Sequence, residues 1–195
     1  MPLDAGFTVL REPTLSESRA LDRFLASVER KAFRIAQIAL RHDEDALDAV
    51  QDAMLRLARG YAARPEGEWR PLFYRILENC IRDMQRRRQV RARVMAFTGW
   101  ARSDGEEAPA DPIEQAPDPG PTPQVQAQAD QSMQALEAAL GQLPARQRQA
   151  FLLRSLEGLD VADTARAMDC SEGSVKTHYF RAVHALRLAL GEHWP

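Results

Sequence analysis

A chain of 195 residues, 45% of them hydrophobic, can bury one large or two small cores, and its formal charge of −2 gives it no overall pull on a polyanion. No window approaches the ~20 apolar residues of a membrane span, and residues 1–19, with Asp4, Arg11 and Glu12, lack the apolar run of a signal peptide. Cys80 and Cys170 stand far apart without CxxC or Cys/His spacing, so they read as thiols of a reducing cytoplasm and not as a disulfide or a metal site.

The net charge is an average over unlike parts. Residues 103–145 carry eight acids and no Lys or Arg, which leaves the rest of the chain at +6. Residues 75–102 alone hold eight arginines against Glu78 and Asp83. Such asymmetry allows one part of the chain to hold nucleic acid.

Helical periodicity recurs along the chain and strand-like alternation is scarce, so the expected fold class is all-α. A first helix is predicted over residues 17–40, with Leu21, Phe24, Leu25, Val28, Ala32, Ile35 and Ala39 as its apolar stripe. A second starts near Asp43 and ends before Gly60, burying Ala46, Ala49, Val50, Ala53, Met54 and Leu57. Its opposite face collects Asp45, Asp48, Gln51, Asp52 and Leu55. Periodicity leaves two readings of that face open, a solvated surface or a docking surface centred on Leu55.

Residues 60–70 (GYAARPEGEWR) read as a loop. A third helix is expected over residues 71–94, with Phe73, Ile76, Leu77, Cys80 and Met84 inward. Arg75, Asn79, Arg82, Arg86, Gln89 and Arg93 fall on the reverse face at alternating spacings of four and three. A ladder of guanidiniums around an asparagine suits a nucleic-acid backbone, although an arginine-rich solvated face is the plainer alternative.

Prolines recur with acids from Pro109 to Pro123, in a stretch too poor in large apolar groups to fold. Residues 98–128 therefore read as an acidic, proline-rich linker between two small helical domains, residues 17–97 and 129–191. In the second domain a helix with Met133, Leu136 and Leu140 precedes another, opened by Pro144 and closed by Gly158. A short helix over residues 161–168, a turn at Asp169-Cys170-Ser171 and a long helix over residues 172–190 follow, with Ser171 as N-cap. Ala165 at the crossing and Val175 in the angle make a helix-turn-helix, whose second helix enters the major groove. Val175, Tyr179, Ala182 and Leu186 should point inward; Gly173, Ser174, Thr177, Phe180, Arg181 and His184 should face outward, flanked by Lys176. An aromatic, an arginine and a hydroxyl there suit a thymine methyl, a guanine edge and a phosphate.

These residues together resemble a known family. Residues 45–57 (DALDAVQDAMLRL) resemble the docking helix of sigma region 2, and residues 72–79 (LFYRILEN), followed by Asp83 and Arg86-Arg87-Arg88, resemble that region's DNA segment. Leu143-Pro144 through Leu186, with Leu156-Glu157-Gly158 and Gly173-Ser-Val-Lys176-Thr-His, resembles region 4. Order, spacing and linker are similar to those of the extracytoplasmic-function (ECF) sigma factors of the sigma-70 family, over nearly the whole stretch from Leu21 to Leu190.

The resemblance implies an alternative sigma factor, a specificity subunit of RNA polymerase with no catalytic site and no cofactor. It implies that Asp48, Gln51, Asp52 and Leu55 bind the clamp coiled coil of the largest core polymerase subunit, with the second-largest subunit as a further contact. Asn79, with the loop over residues 60–70, would hold a base flipped from the −10 element, while Arg75, Arg82 and Arg86 track phosphates. Gly173, Ser174, Lys176, Thr177, Phe180 and Arg181 would read the −35 element. The implied partners are core polymerase, promoter DNA and an anti-sigma factor, which could hold the cytoplasmic protein at the inner membrane. The sequence departs from the family pattern at Leu47 (usually an acid), Leu72 (usually Trp), Glu78 beside the base-capturing residue, and Asp169 in place of the turn glycine. Rival readings are a helix-turn-helix regulator without polymerase contact, an enzyme, and an adaptor that binds no DNA. His42, His178, His184 and His193 gather no ligand set with Cys or carboxylates, and no glycine-rich phosphate loop is present.

Overall fold

The computed structural model describes residues 15–98 and 123–191, and every regular element among them is helical. The order is α1 (Leu15–Leu40), α2 (Asp43–Tyr61), α3 (Glu66–Thr98), α4 (Pro123–Gln142), α5 (Ala145–Phe151), a π turn (Leu152–Leu156), α6 (Val161–Met168) and α7 (Glu172–Leu190).

Helix α1 stops where Arg41 turns left-handed (φ 53°). Two side chains of α3 satisfy the carbonyls this leaves, Gln85 donating to Ala39 and Arg88 to Leu40, each at 3.0 Å. His42 then caps α2 through a bond from the Asp45 N–H, and three acids in the first turn suit the positive end of the helix dipole. Ala46, Ala49, Val50, Ala53 and Leu57 are buried as their spacing predicts. The helix runs through Gly60 to Tyr61, because a lone glycine costs a helix only about 1 kcal/mol and packing overrides it.

The expected loop over residues 60–70 is shorter than its composition suggests. Helix α3 starts at Glu66 and carries Pro71 inside it. The proline forgoes one bond, to the carbonyl of Gly67, while burial of Trp69 against the Phe24 ring (centroids 5.8 Å apart) holds the first turns in place. At its other end α3 continues to Thr98, and α4 begins at Pro123, inside the stretch read as linker.

The second half is built around capped turns. Leu140 of α4 is buried, Leu136 partly so, and Met133 is exposed. Pro144 opens α5, which widens into the π turn before Gly158 reverses the chain at φ 71°. Asp160 caps α6 by accepting from the Asp163 N–H at 2.6 Å. Asp169 ends α6 in the left-handed region (φ 52°), with the Cys170 N–H on the Ala165 carbonyl at 3.1 Å. Arg146 of α5 donates to the Met168 carbonyl at 2.6 Å, which ties the helix-turn-helix to the helix before it.

The halves also pack on each other. Helix α6 lies on α3, and α4 touches α1. Ile35, Tyr74, Leu77 and Ile81 meet Leu152 and Leu153 around a void of about 10 Å³, room for one water at most. Helix α3 therefore carries two buried stripes. Phe73 and Cys80 belong to the first half's own core, and Tyr74, Leu77 and Ile81 face the second half.

Candidate nucleic-acid and partner interfaces

Three outward faces hold the residues singled out in the sequence. On α2, Asp48, Gln51 and Leu55 are exposed and Asp52 is half-buried. The Asp52 carboxylate accepts from the Arg56 guanidinium at 2.8 Å, and its other neighbour is the Cys80 thiol at 3.8 Å. Burial first, and then the nearby acids, pushes that thiol up to about 11, so Cys80 is an inert core group. Leu47 is 46% exposed and Leu55 51% exposed, so two leucines stand in water among carboxylates.

On α3, Arg75, Asn79, Arg82, Arg86, Gln89 and Arg93 are all exposed. Arg82 donates to the Asn79 side-chain oxygen at 2.6 Å, which leaves the Asn79 amide N–H groups as donors. Arg75 is tied to Asp169 of the helix-turn-helix at 3.0 Å. Glu78 is buried except for 16% of its side chain. Its burial outweighs the attraction of Arg82, Arg148 and Arg146 and raises its carboxyl above the usual range. The base-holding role implied for the loop over residues 60–70 meets a different backbone, since residues 66–70 are helical.

On α7, the Ser171 hydroxyl accepts from the Ser174 N–H at 3.2 Å, and the Ser174 side chain turns into this cap. Thr177 returns its hydroxyl to the Gly173 carbonyl at 2.9 Å. Val175, Ala182 and Leu186 are fully buried, while Gly173, Lys176, Thr177, Phe180 and Arg181 are exposed. The Phe180 ring is 72% exposed and stacks on His184, with planes 10° apart. Leu188, absent from the sequence reading, is 74% exposed one turn further on. Its spacing from Phe180 and His184 was the available signal. Behind the helix, Tyr179 stacks on Phe151 (6.1 Å), with Arg154 over its ring. Among the described residues no group of His, Cys, Asp and Glu is arranged to hold a metal, and no helix is long and apolar enough to cross a membrane.

A helix-turn-helix with an exposed aromatic on its second helix, packed on a helical bundle with an arginine-rich face, is the architecture of a helical DNA-binding protein. Residues 133–186 match the family described as sigma-70, region 4. The chain is 32% identical to the ECF RNA polymerase sigma factor SigM of Mycobacterium tuberculosis over 173 residues, which cover 88% of this chain and 78% of that protein. The fold is similar to that of the sigma factor RpoE of Bartonella quintana, solved with the anti-sigma factor NepR (TM-score 0.60, 20% identity, 88% of this chain and 97% of that one). It is also similar to CnrH, solved with the cytosolic domain of CnrY (TM-score 0.57, 19% identity, 90% of each chain). The chain belongs to the ECF RNA polymerase sigma factors, and is thus an alternative sigma factor for transcription initiation, a regulatory subunit and not a catalytic one.

Proposed function

We propose that this sigma factor divides promoter recognition among its three faces. Asp48, Gln51, Asp52 and Leu55 dock on the clamp coiled coil of core RNA polymerase. Asn79 offers its free amide N–H groups to a base flipped from the −10 element, and Arg75, Arg82 and Arg86 follow the surrounding phosphates. Lys176, Thr177, Phe180 and Arg181 enter the major groove at the −35 element, with Gly173 and Ser174 bringing the capped start of α7 close to the backbone. Opening a promoter asks for no covalent chemistry from these residues. A flipped base costs a few kcal/mol, which a pocket for its edge and the phosphate contacts offset. Two weak DNA sites become a strong one once polymerase holds both. An anti-sigma factor of the kind seen with the solved neighbours is the natural regulatory partner, and the cytoplasm is the place of action.

The observation that carries this reading is Phe180. A 72% exposed aromatic stands opposite three fully buried residues on one helix, directly after a capped turn. The test is run-off transcription with core polymerase on a promoter library randomised at both elements. Arg181→Ala should relax selection at one or two −35 positions, by roughly tenfold or more for a lost arginine–guanine pair worth ~1–3 kcal/mol, and leave −10 selection unchanged. A shift at −10, or none at −35, removes α7 from the role. The double variant Asp48→Arg/Asp52→Arg should lose core binding with its helix content intact by circular dichroism; undiminished affinity removes α2.

A further inference from the structure

Glu78, Arg82 and Asn79 of α3 form a chain of contacts that runs from the packed side of the helix to its exposed face. The Arg82 guanidinium donates from Nη2 to the Asn79 Oδ1 at 2.6 Å. Its Nε points back at Glu78, 3.4 Å from the Glu78 carbonyl oxygen and 3.8 Å from its carboxylate. Glu78 keeps 16% of its side chain exposed against 50% for Arg82, so the inner end of the chain is held and the outer end meets water. Arg75, one turn before Asn79, is engaged by Asp169 at 3.0 Å, which leaves Arg82 as the cation that addresses the asparagine.

That contact fixes which way the Asn79 amide faces. A guanidinium has five N–H donors and no acceptor, so it can face the amide oxygen but not the amide nitrogen. Turning the amide over would set its two N–H groups against a cation. The bond adds little to stability at so exposed a place, yet the difference between the two orientations is that of a charge-assisted hydrogen bond against a repulsion. Asn79 therefore presents N–H donors outward. The usual partnership of asparagine with adenine is bidentate and needs the amide oxygen to accept from the adenine amino group. Here that oxygen already serves Arg82, and an approaching amino group would meet the same cation.

We infer that Arg82, braced by Glu78, is a positioning residue that fixes Asn79 as a donor, so that the base it holds is one with a carbonyl oxygen and adenine is rejected. The inference rests on the reading of Asn79 given above and gives Arg82 a second task beside following phosphates. Guanine, cytosine and thymine each carry a carbonyl acceptor, and adenine carries none. All three protein groups lie within five consecutive positions of one helix, so the arrangement depends on no other element for its geometry.

The experiment titrates full-length protein, assembled with core polymerase, onto labelled single-stranded oligonucleotides that carry the −10 element with each of the four bases at each position in turn. Asn79→Ala identifies the position it reads as the one where base preference disappears. There the wild type should bind adenine at least about tenfold more weakly than the best carbonyl-bearing base. Arg82→Met, similar in length but without a donor, should bring adenine to within about threefold of the others at that position and leave preferences elsewhere unaltered. Arg82→Lys keeps a donor and the charge, and should restore most of the discrimination. An Arg82→Met protein that weakens all four bases by one factor, with the salt slope lowered by roughly one, makes Arg82 a phosphate contact alone and overturns the inference. So does a wild type that favours adenine at the Asn79 position. Loss of preference in Asn79→Ala with none in Arg82→Met refutes the role of Arg82 and leaves that of Asn79 standing. Preferences unchanged at every position in Asn79→Ala refute the assignment of Asn79 to the base, and the role of Arg82 falls with it.

Discussion

Truncating α7 on its two faces should give opposite results, and the size of each follows from burial. A fully buried Phe covers about 150–250 Å². With Phe180 72% exposed, roughly 110–180 Å² of that ring faces water in the free protein. If a groove covers half of it, about 25 cal/mol per Å² gives ~1.5–2 kcal/mol, or about 10- to 30-fold in affinity. Phe180→Ala should therefore weaken binding to a duplex with the −35 element by about that factor. Its thermal midpoint should move by no more than about 2 °C, because little packing is lost. Leu186 is fully buried two turns along the same helix. Leu186→Ala should cost about 2–5 kcal/mol, or roughly 5–15 °C for a chain of this size. Paired calorimetry and fluorescence-anisotropy titrations at one salt concentration measure both effects. A Phe180→Ala protein as unstable as Leu186→Ala, or one that binds −35 DNA unchanged, would refute the assignment of the outer face of α7.

The remaining expectations concern α3. Asn79→Ala should leave closed-complex formation nearly intact and reduce permanganate reactivity at the −10 element; wild-type reactivity places the base pocket elsewhere. Arg86 is exposed, and if it follows phosphates as proposed, Arg86→Ala should weaken binding evenly across promoter sequences and lower the salt slope by roughly one, whereas an unchanged slope removes it from the interface. Glu78 has a raised carboxyl because burial dominates, so the folded state holds its proton more tightly than the unfolded one. Its contribution to stability is thus full below the ordinary Glu range and is lost as pH rises through the folded value. Glu78→Gln should be more stable than wild type at neutral pH, and the gap should close as pH falls; a gap that does not vary with pH contradicts this account.

Much of the fold was legible because capped turns write themselves in residue type. Asp160, Asp169, Ser171 and Gly158 each supply a local bond or a left-handed backbone that the following helix needs, and α6 and α7 fall within the expected bounds. The apolar stripe of α2 was equally clear, since its buried alanines leave no other face to pack. Pro71 misled for a physical reason. Proline marks a helix start when nothing opposes it, and here the buried Trp69 lies upstream and draws the helix back to Glu66.

The second buried stripe of α3 was not legible in principle from a helical repeat. Leu77 fits both stripes, Tyr74 resembles a boundary residue, and Ile81 falls between Cys80 and Arg82, so a single period assigns them to one core. What distinguishes them is the identity of the partner, Leu152 and Leu153, more than seventy residues away and beyond the acidic proline-rich stretch. Periodicity reports that a face is buried but not what buries it. Glu78 was the available trace, an acid amid the buried stripe and beside the arginine ladder, unexplained by either. With Arg146 and Arg148 of α5 among its neighbours, it becomes intelligible as part of the surface where the halves meet. A charge that departs from a helix's own logic is best sought on whatever that helix touches elsewhere in the chain.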